Sequence, residues 1–137
     1  MTVSGPDHFQ KKRRDMSKEA KLANAGIASS HQLVGRKVEN PKGESLGKIE
    51  DVMIDTGEGR VAYAVLSFGG FMGMGNKLFA YPWSALHIHG EDKVTLDVTK
   101  ESLENAPGFP KDKWPDMNDR VWGASVHTYY KTQPYWQ

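Results

Sequence analysis

The chain has 137 residues, with 18 Lys and Arg against 17 Asp and Glu and no cysteine. That length accommodates one domain of ordinary size, and a hydrophobic fraction of 38% with 14 glycines belongs to a chain that folds. A formal net charge of +1 argues against a dedicated nucleic-acid binder or a polybasic membrane protein, and the missing cysteines exclude disulfides, thiolate metal sites and cysteine nucleophiles.

No run approaches the roughly 18 apolar residues of a membrane span. The basic N-terminal stretch has no apolar segment behind it of the kind a secretory signal carries, so the expected compartment is the cytoplasm. Charge divides the chain into three zones: a net +3 up to His31, a net −3 from Gln32 to Ala106, and a net +1 in the remainder. Ten of the fourteen glycines fall in the acidic middle, together with most of the β-branched residues. The expected organisation is a flexible polar arm at 1–30, a folded domain at 31–106 and an aromatic-rich extension at 107–137.

In the arm, Met16, Ala20, Ala23 and Ile27 share one helical face, a stripe too thin to hold a helix by itself. Lys11, Lys12, Arg13 and Arg14 suit either a contact with RNA or acidic lipid, or plain solvation.

The middle zone reads as short strands separated by turns. Leu33–Val38 is the first run, ended by the turn Asn40-Pro41-Lys42-Gly43. Leu46–Ile54 is the second, ended by Asp55-Thr56-Gly57-Glu58-Gly59. Val61–Phe68 is almost wholly apolar and is expected to be a central strand covered on both faces. A glycine-rich loop spans Gly69–Gly75. Lys77–Tyr81 follows and stops at Pro82, and Leu86–His89 with Val94–Val98 alternates as a hairpin. Six short strands with frequent turns predict a mainly β fold, a small barrel or sandwich whose closure would remove exposed edges. Lys100–Ala106 is expected to be helical, capped by Thr99 and ended by Pro107-Gly108.

The extension carries Phe109, Trp114, Trp122, Tyr129, Tyr130, Tyr135 and Trp136. Asp116 and Asp119 signal a helix start, after which Trp122, Val126, Tyr129 and Tyr130 share one face. Gly123 weakens that helix by about 1 kcal/mol. A helix so short and aromatic must pack against the barrel, a second copy or a partner.

The stretch Leu33-Val34-Gly35, then Leu46-Gly47-Lys48-Ile49-Glu50-Asp51-Val52-Met53-Ile54-Asp55 and Val61-Ala62-Tyr63-Ala64-Val65-Leu66-Ser67, resembles the PRC-barrel domain. This is the small β-barrel of the cytoplasmic part of the photosynthetic reaction-centre H subunit and of the C-terminal domain of the bacterial ribosome-maturation factor. Gly69–Lys77, Ala80–Leu86 and Val94–Asp97 with the helix after it look like stand-alone bacterial members, so the resemblance covers roughly residues 31–108. It implies a PRC-type barrel of about six strands and a role in adaptation or assembly. The H subunit's spanning helix and the maturation factor's extra domain have no counterpart in the polar arm, so docking to a photosynthetic complex or a ribosome is not implied.

Candidate chemistry is sparse. The order G-G-x-x-G-x-G at Gly69–Gly75, followed by a strand, does not fit a dinucleotide fingerprint, which needs a helix N-terminus for the pyrophosphate. Its apolar residues Phe71, Met72 and Met74 are docking candidates. His87 and His89 share one strand face and are two candidate metal ligands with no third nearby. His8, His31 and His127 are isolated. Asp51 and Asp55 lie about 13 Å apart along a strand, too far for a glycosidase-like pair, so turn capping by Asp55 and a structural hydrogen bond by Asp51 are expected. No serine sits in a G-x-S-x-G elbow. No cofactor and no enzymatic activity are expected.

The function expected from the sequence is that of a non-enzymatic adaptor working through protein–protein contacts, as a homodimer with a further protein partner. Its contact candidates are Phe71, Met72, Met74, Trp83, Trp114, Trp122, Tyr129, Tyr130 and Trp136, the aromatic ones because Trp and Tyr dominate interface hot spots. Two alternatives are an RNA- or ribosome-associated factor anchored by Lys11–Arg14, and a metal-responsive stress protein using His87 and His89.

Overall fold

A computed structural model describes residues 26–69, 76–89 and 93–137. Helix α1 (Ser30–Leu33) precedes strands β1 (Lys37–Glu39), β2 (Ser45–Asp55), β3 (Arg60–Gly69) and β4 (Asn76–Pro82). A 3-10 turn (Trp83–Ala85) leads to β5 (Leu86–His89) and β6 (Lys93–Leu96), and helices α2 (Lys100–Glu104) and α3 (Arg120–Tyr129) follow. The arm with Lys11–Arg14, and Phe71, Met72 and Met74, lie outside the described residues.

The six strands form one curled sheet, a half-barrel, in the order β4-β3-β2-β1-β6-β5. β1 to β4 are an antiparallel meander. The chain then crosses over so that β6 lies parallel to β1, Val38 opposite Val94, with β5 antiparallel to β6. The hydrogen-bonded order ends at β4 and β5, so the ladder itself does not close. The exposed-edge problem is met differently at β4: Leu78 and Phe109 exchange both backbone hydrogen bonds, at 3.0 and 2.9 Å.

Strand boundaries follow turn chemistry. Asn40 Oδ1 accepts from the N–H groups of Lys42 and Glu44, and Gly43 sits at φ +86°, completing the turn after β1. Asp55 Oδ1 accepts from Gly57 and Glu58 N–H, closing the β2–β3 hairpin.

One expected strand is shorter than its apolar run. Leu33 belongs to α1, because Ser29 and Gln32 form a reciprocal capping box that starts a helical turn. Gly35 at φ +93° then reverses the chain before β1 begins at Lys37. At the other end, Val98 falls beyond β6, and Thr99 caps α2 by accepting from Ser102 N–H at 2.9 Å.

β3 is buried along almost its whole length, and its alternation separates two cores. Ala64, Leu66 and Phe68 point inward with Val38, Leu46, Ile49, Phe79, Leu86 and Leu96, and α1 and α2 plug this core with Leu33 and Leu103. Tyr63 and Val65 point outward with Leu78 and Ala80, and the C-terminal extension covers them. Among the described residues no helix is long and apolar enough to cross a membrane.

Candidate functional site

The outer face of β3 and β4 is where the extension docks. Asp119 starts α3 by accepting from Val121 N–H at 2.9 Å, and Lys131 at φ +58° ends it. Val126 and His127 of α3 are buried, and Trp122 is partly buried against the sheet. Tyr63, 1% exposed, is the centre of this layer. Its ring meets those of Trp122, His127 and Tyr135 at 5.4, 5.5 and 5.7 Å. Burial pushes its phenol up to about 12.

His127 Nδ1 lies 2.7 Å from the Gly123 carbonyl, which only accepts, so Nδ1 carries the proton in this bond. Its ring is closed in by Tyr63, Tyr135 and Trp136.

Beside this layer, between the β2–β3 turn and the start of α3, lies a groove of about 410 Å³. Met53, Ala62, Tyr63 and Met117 supply apolar lining, and Asp55, Asn118, Arg120 and Tyr135 polar lining. Backbone N–H donation from Glu58 is the largest influence holding the Asp55 carboxyl below its usual range, followed by the Tyr135 hydroxyl, Gly57 N–H and the Arg120 charge, against the effect of desolvation. The Arg120 guanidinium lies 5.0 Å over the Trp136 ring, and that of Arg60 lies 5.8 Å over the Tyr135 ring. Ile54 on the groove wall is 55% exposed, and Val121, the residue after Arg120, is 81% exposed.

The residues singled out from sequence are dispersed. His87 is exposed on β5, whereas His89 is half-buried with Nε2 2.8 Å from Thr95 Oγ1. Among the described residues no three His, Cys, Asp or Glu side chains come together as a metal site. Trp83 starts the 3-10 turn and packs on the inner core. Trp114 stacks on Phe109 at 5.3 Å, donates Nε1–H to the Lys111 carbonyl at 2.8 Å, and keeps 37% exposure.

Tyr130 packs on Tyr81 at 4.6 Å, and Trp122 and Trp136 pack within the chain's own outer layer. Tyr129 is 36% exposed and donates to the Ser102 carbonyl at 2.7 Å, tying α3 to α2. Asp51 Oδ1 accepts from Val52 N–H, a local structural bond.

Sequence reasoning missed Tyr63, Gly123, His127 and the Arg60–Arg120 pair as members of one site. An ideal Cβ at Gly123 would lie 2.8 Å from Tyr63 Oη, so this glycine is the gap through which α3 approaches the sheet. A glycine inside an aromatic helix face is the available signal; His127 reads as isolated because neither its packing on the distant Tyr63 nor the return of Tyr135 and Trp136 onto its ring follows from local sequence pattern.

The PRC-barrel domain model matches residues 26–103, more than half of the chain. No curated protein matches the chain.

Proposed function

Because the chain belongs to the PRC-barrel domain family, we propose that it is a non-enzymatic adaptor that works through protein–protein contacts, as a homodimer. The observation that carries this reading is the apolar surface left over after both sheet faces are filled. Ile54 and Val121 stay exposed at the groove, and Trp114 and Tyr129 stay partly exposed on the extension. Of these, Trp114 and Tyr129 are of the residue types that dominate interface energies once covered. The displaced titrations fit a structural role: Asp55 serves its own turn, and Tyr63, Tyr81 and Tyr130 are raised by burial.

Trp114 and Tyr129, with Phe71, Met72 and Met74, are the proposed contacts among the residues singled out from sequence. Trp122, Tyr130 and Trp136 hold the extension in place. The test is native affinity capture from the source cell with and without nuclease, joined to light scattering of the purified protein. A stoichiometric protein that survives nuclease, and a mass twice that of the chain, are expected. Loss of every bound species on nuclease treatment overturns the adaptor reading in favour of an RNA-associated factor, and a monomeric mass overturns the homodimer.

A further inference from the structure

We infer that the outer face of β2, β1 and β6 is a docking surface for the acidic face of a partner protein's helix, held by Lys48, Lys37 and Lys93. The inference rests on the adaptor reading and gives the partner its chemistry.

The register of the sheet builds this surface. Lys37 on β1 stands directly opposite Lys48 on β2. On its other side β1 runs parallel to β6 with Val38 opposite Val94, so one step back along the same ladder Lys37 stands beside Lys93. His89 of β5 is opposite Lys93 and extends the row. Val38, Ile49 and Val94 are buried in the inner core, so alternation turns the neighbouring lysines outward, and all three are exposed. The C-terminal extension packs on the outer side of β3 and β4, and the outer core it forms takes no residue from β1, β5 or β6.

Neighbouring strands lie about 4.8 Å apart, so the three lysines form a stripe about 10 Å long. Like charges directly opposite one another destabilise a sheet. Two such contacts share Lys37, and none of the three lysines has a side-chain hydrogen bond or ion pair among the described residues. Glu50 instead faces Lys111 at 3.8 Å, and Glu44 accepts from Asn40 Nδ2 at 2.7 Å. Glu39, half-buried opposite Ser45 and Thr95, is the carboxylate of the next row. Glu91 and Asp92, between β5 and β6, lie outside the described residues. The row is unfavourable in the free chain and an acidic occupant relieves it, a charge complementarity of the kind that sets partner choice.

The shape of the stripe selects among anionic occupants. A helix laid across the strands presents side chains at i, i+3 or i+4, and i+7, in steps of about 5 Å along its axis, close to the strand spacing. Three carboxylates on one helix face therefore meet three lysines in register. A lipid surface is disfavoured because none of the exposed large apolar side chains, Ile27, Val34, Ile54, Trp114, Val121 and Tyr129, lies on β1, β5 or β6. Nucleic acid is disfavoured by the formal net charge of +1 and by a row that holds neither arginine nor an aromatic ring for stacking beyond the single His89.

The test uses the full-length protein with four probes: a synthetic helical peptide bearing Glu at i, i+3 and i+7, its Gln counterpart, phosphatidylglycerol vesicles and a single-stranded RNA. Fluorescence anisotropy gives affinity, and amide NMR shifts locate the site. The Glu peptide is expected to bind at β2, β1 and β6 about tenfold more tightly than its Gln counterpart, the product of three exposed ion pairs, with affinity that falls as salt rises. Lys37→Glu separates binding from folding. It exchanges two like-charge contacts for two opposite ones, so Tm should hold or rise while affinity for the Glu peptide falls about tenfold. Lys93→Gln should weaken binding about two- to fivefold, and it decides the matter if Lys37→Glu proves unfolded by circular dichroism.

Equal binding by the folded variants, no binding of the Glu peptide, shifts confined to other strands, or tighter binding of the vesicles or the RNA would each overturn the assignment. If native capture still returns a stoichiometric, nuclease-resistant protein in those cases, the lysine-row assignment alone has failed. If capture returns none, the adaptor reading has failed with it.

Discussion

Replacing Gly123 with alanine sets local propensity against packing. Gly123 lies inside α3, where alanine is favoured over glycine by about 1 kcal/mol. The added Cβ, however, would lie 2.8 Å from Tyr63 Oη and 3.0 Å from two Trp136 ring carbons. Tyr63 is 1% exposed and closed in by three rings, so its phenol has nowhere to retreat. Overpacking of this kind costs about 1–3 kcal/mol, and the net expectation is a loss of about 1 kcal/mol, a few degrees in Tm for a chain of this length.

Tyr63→Phe isolates the cause. The hydroxyl is buried and has no hydrogen-bond partner, so removing it should be nearly neutral or slightly stabilising. In that background Gly123→Ala should cost less, with a coupling of about 1 kcal/mol between the two sites. Urea unfolding of the four proteins, compared at constant m-value, measures it. A gain of about 1 kcal/mol from Gly123→Ala in the parent, or an identical effect in both backgrounds, would refute the packing argument.

Three further outcomes are expected. Gly47→Ala should cost about 3 kcal/mol or more, because Gly47 sits at φ +104° with the Ser67 carbonyl inside the space of a Cβ; soluble yield and Tm report it. Asp119→Ala removes the cap of α3 and should cost about 1 kcal/mol, read by the same unfolding curves. Tyr63 and Tyr81 should ionise at about 12 in the native protein, followed by absorbance titration. Since unfolded phenols ionise near 10, the protection these two contribute is complete below pH 10 and is lost as pH rises towards 12, at about 1.4 kcal/mol per unit for each. Stability that stays flat to pH 12 would contradict their burial.

Much of the architecture was legible because its determinants are local. The almost wholly apolar run Val61–Phe68 required a strand covered on both faces, and both coverings exist. The Asn40 and Asp55 turns, the Thr99 cap and the Asp119 helix start are each decided within four residues of sequence. Leu33 shows the limit of that reasoning: a capping box and a left-handed Gly35 outweighed strand propensity, and the residue became a helix-borne plug for the inner core.

The candidate site depended on contacts across long separations. His127 has the ordinary sequence context of a surface histidine, and only docking of α3 on β3, with Tyr135 and Trp136 folded back beside it, surrounds it with rings. Arg60 and Arg120 are 60 positions apart, and they meet one assembly because the β2–β3 turn and the chain's end both pack beside Tyr63. Periodicity, turns and caps are short-range properties, so the sequence alone determined the strands, their punctuation and the family resemblance. Which aromatic rings turn inward, which arginines lie over them and where a groove remains are consequences of how distant surfaces exclude water from one another, and only the tertiary structure decided them.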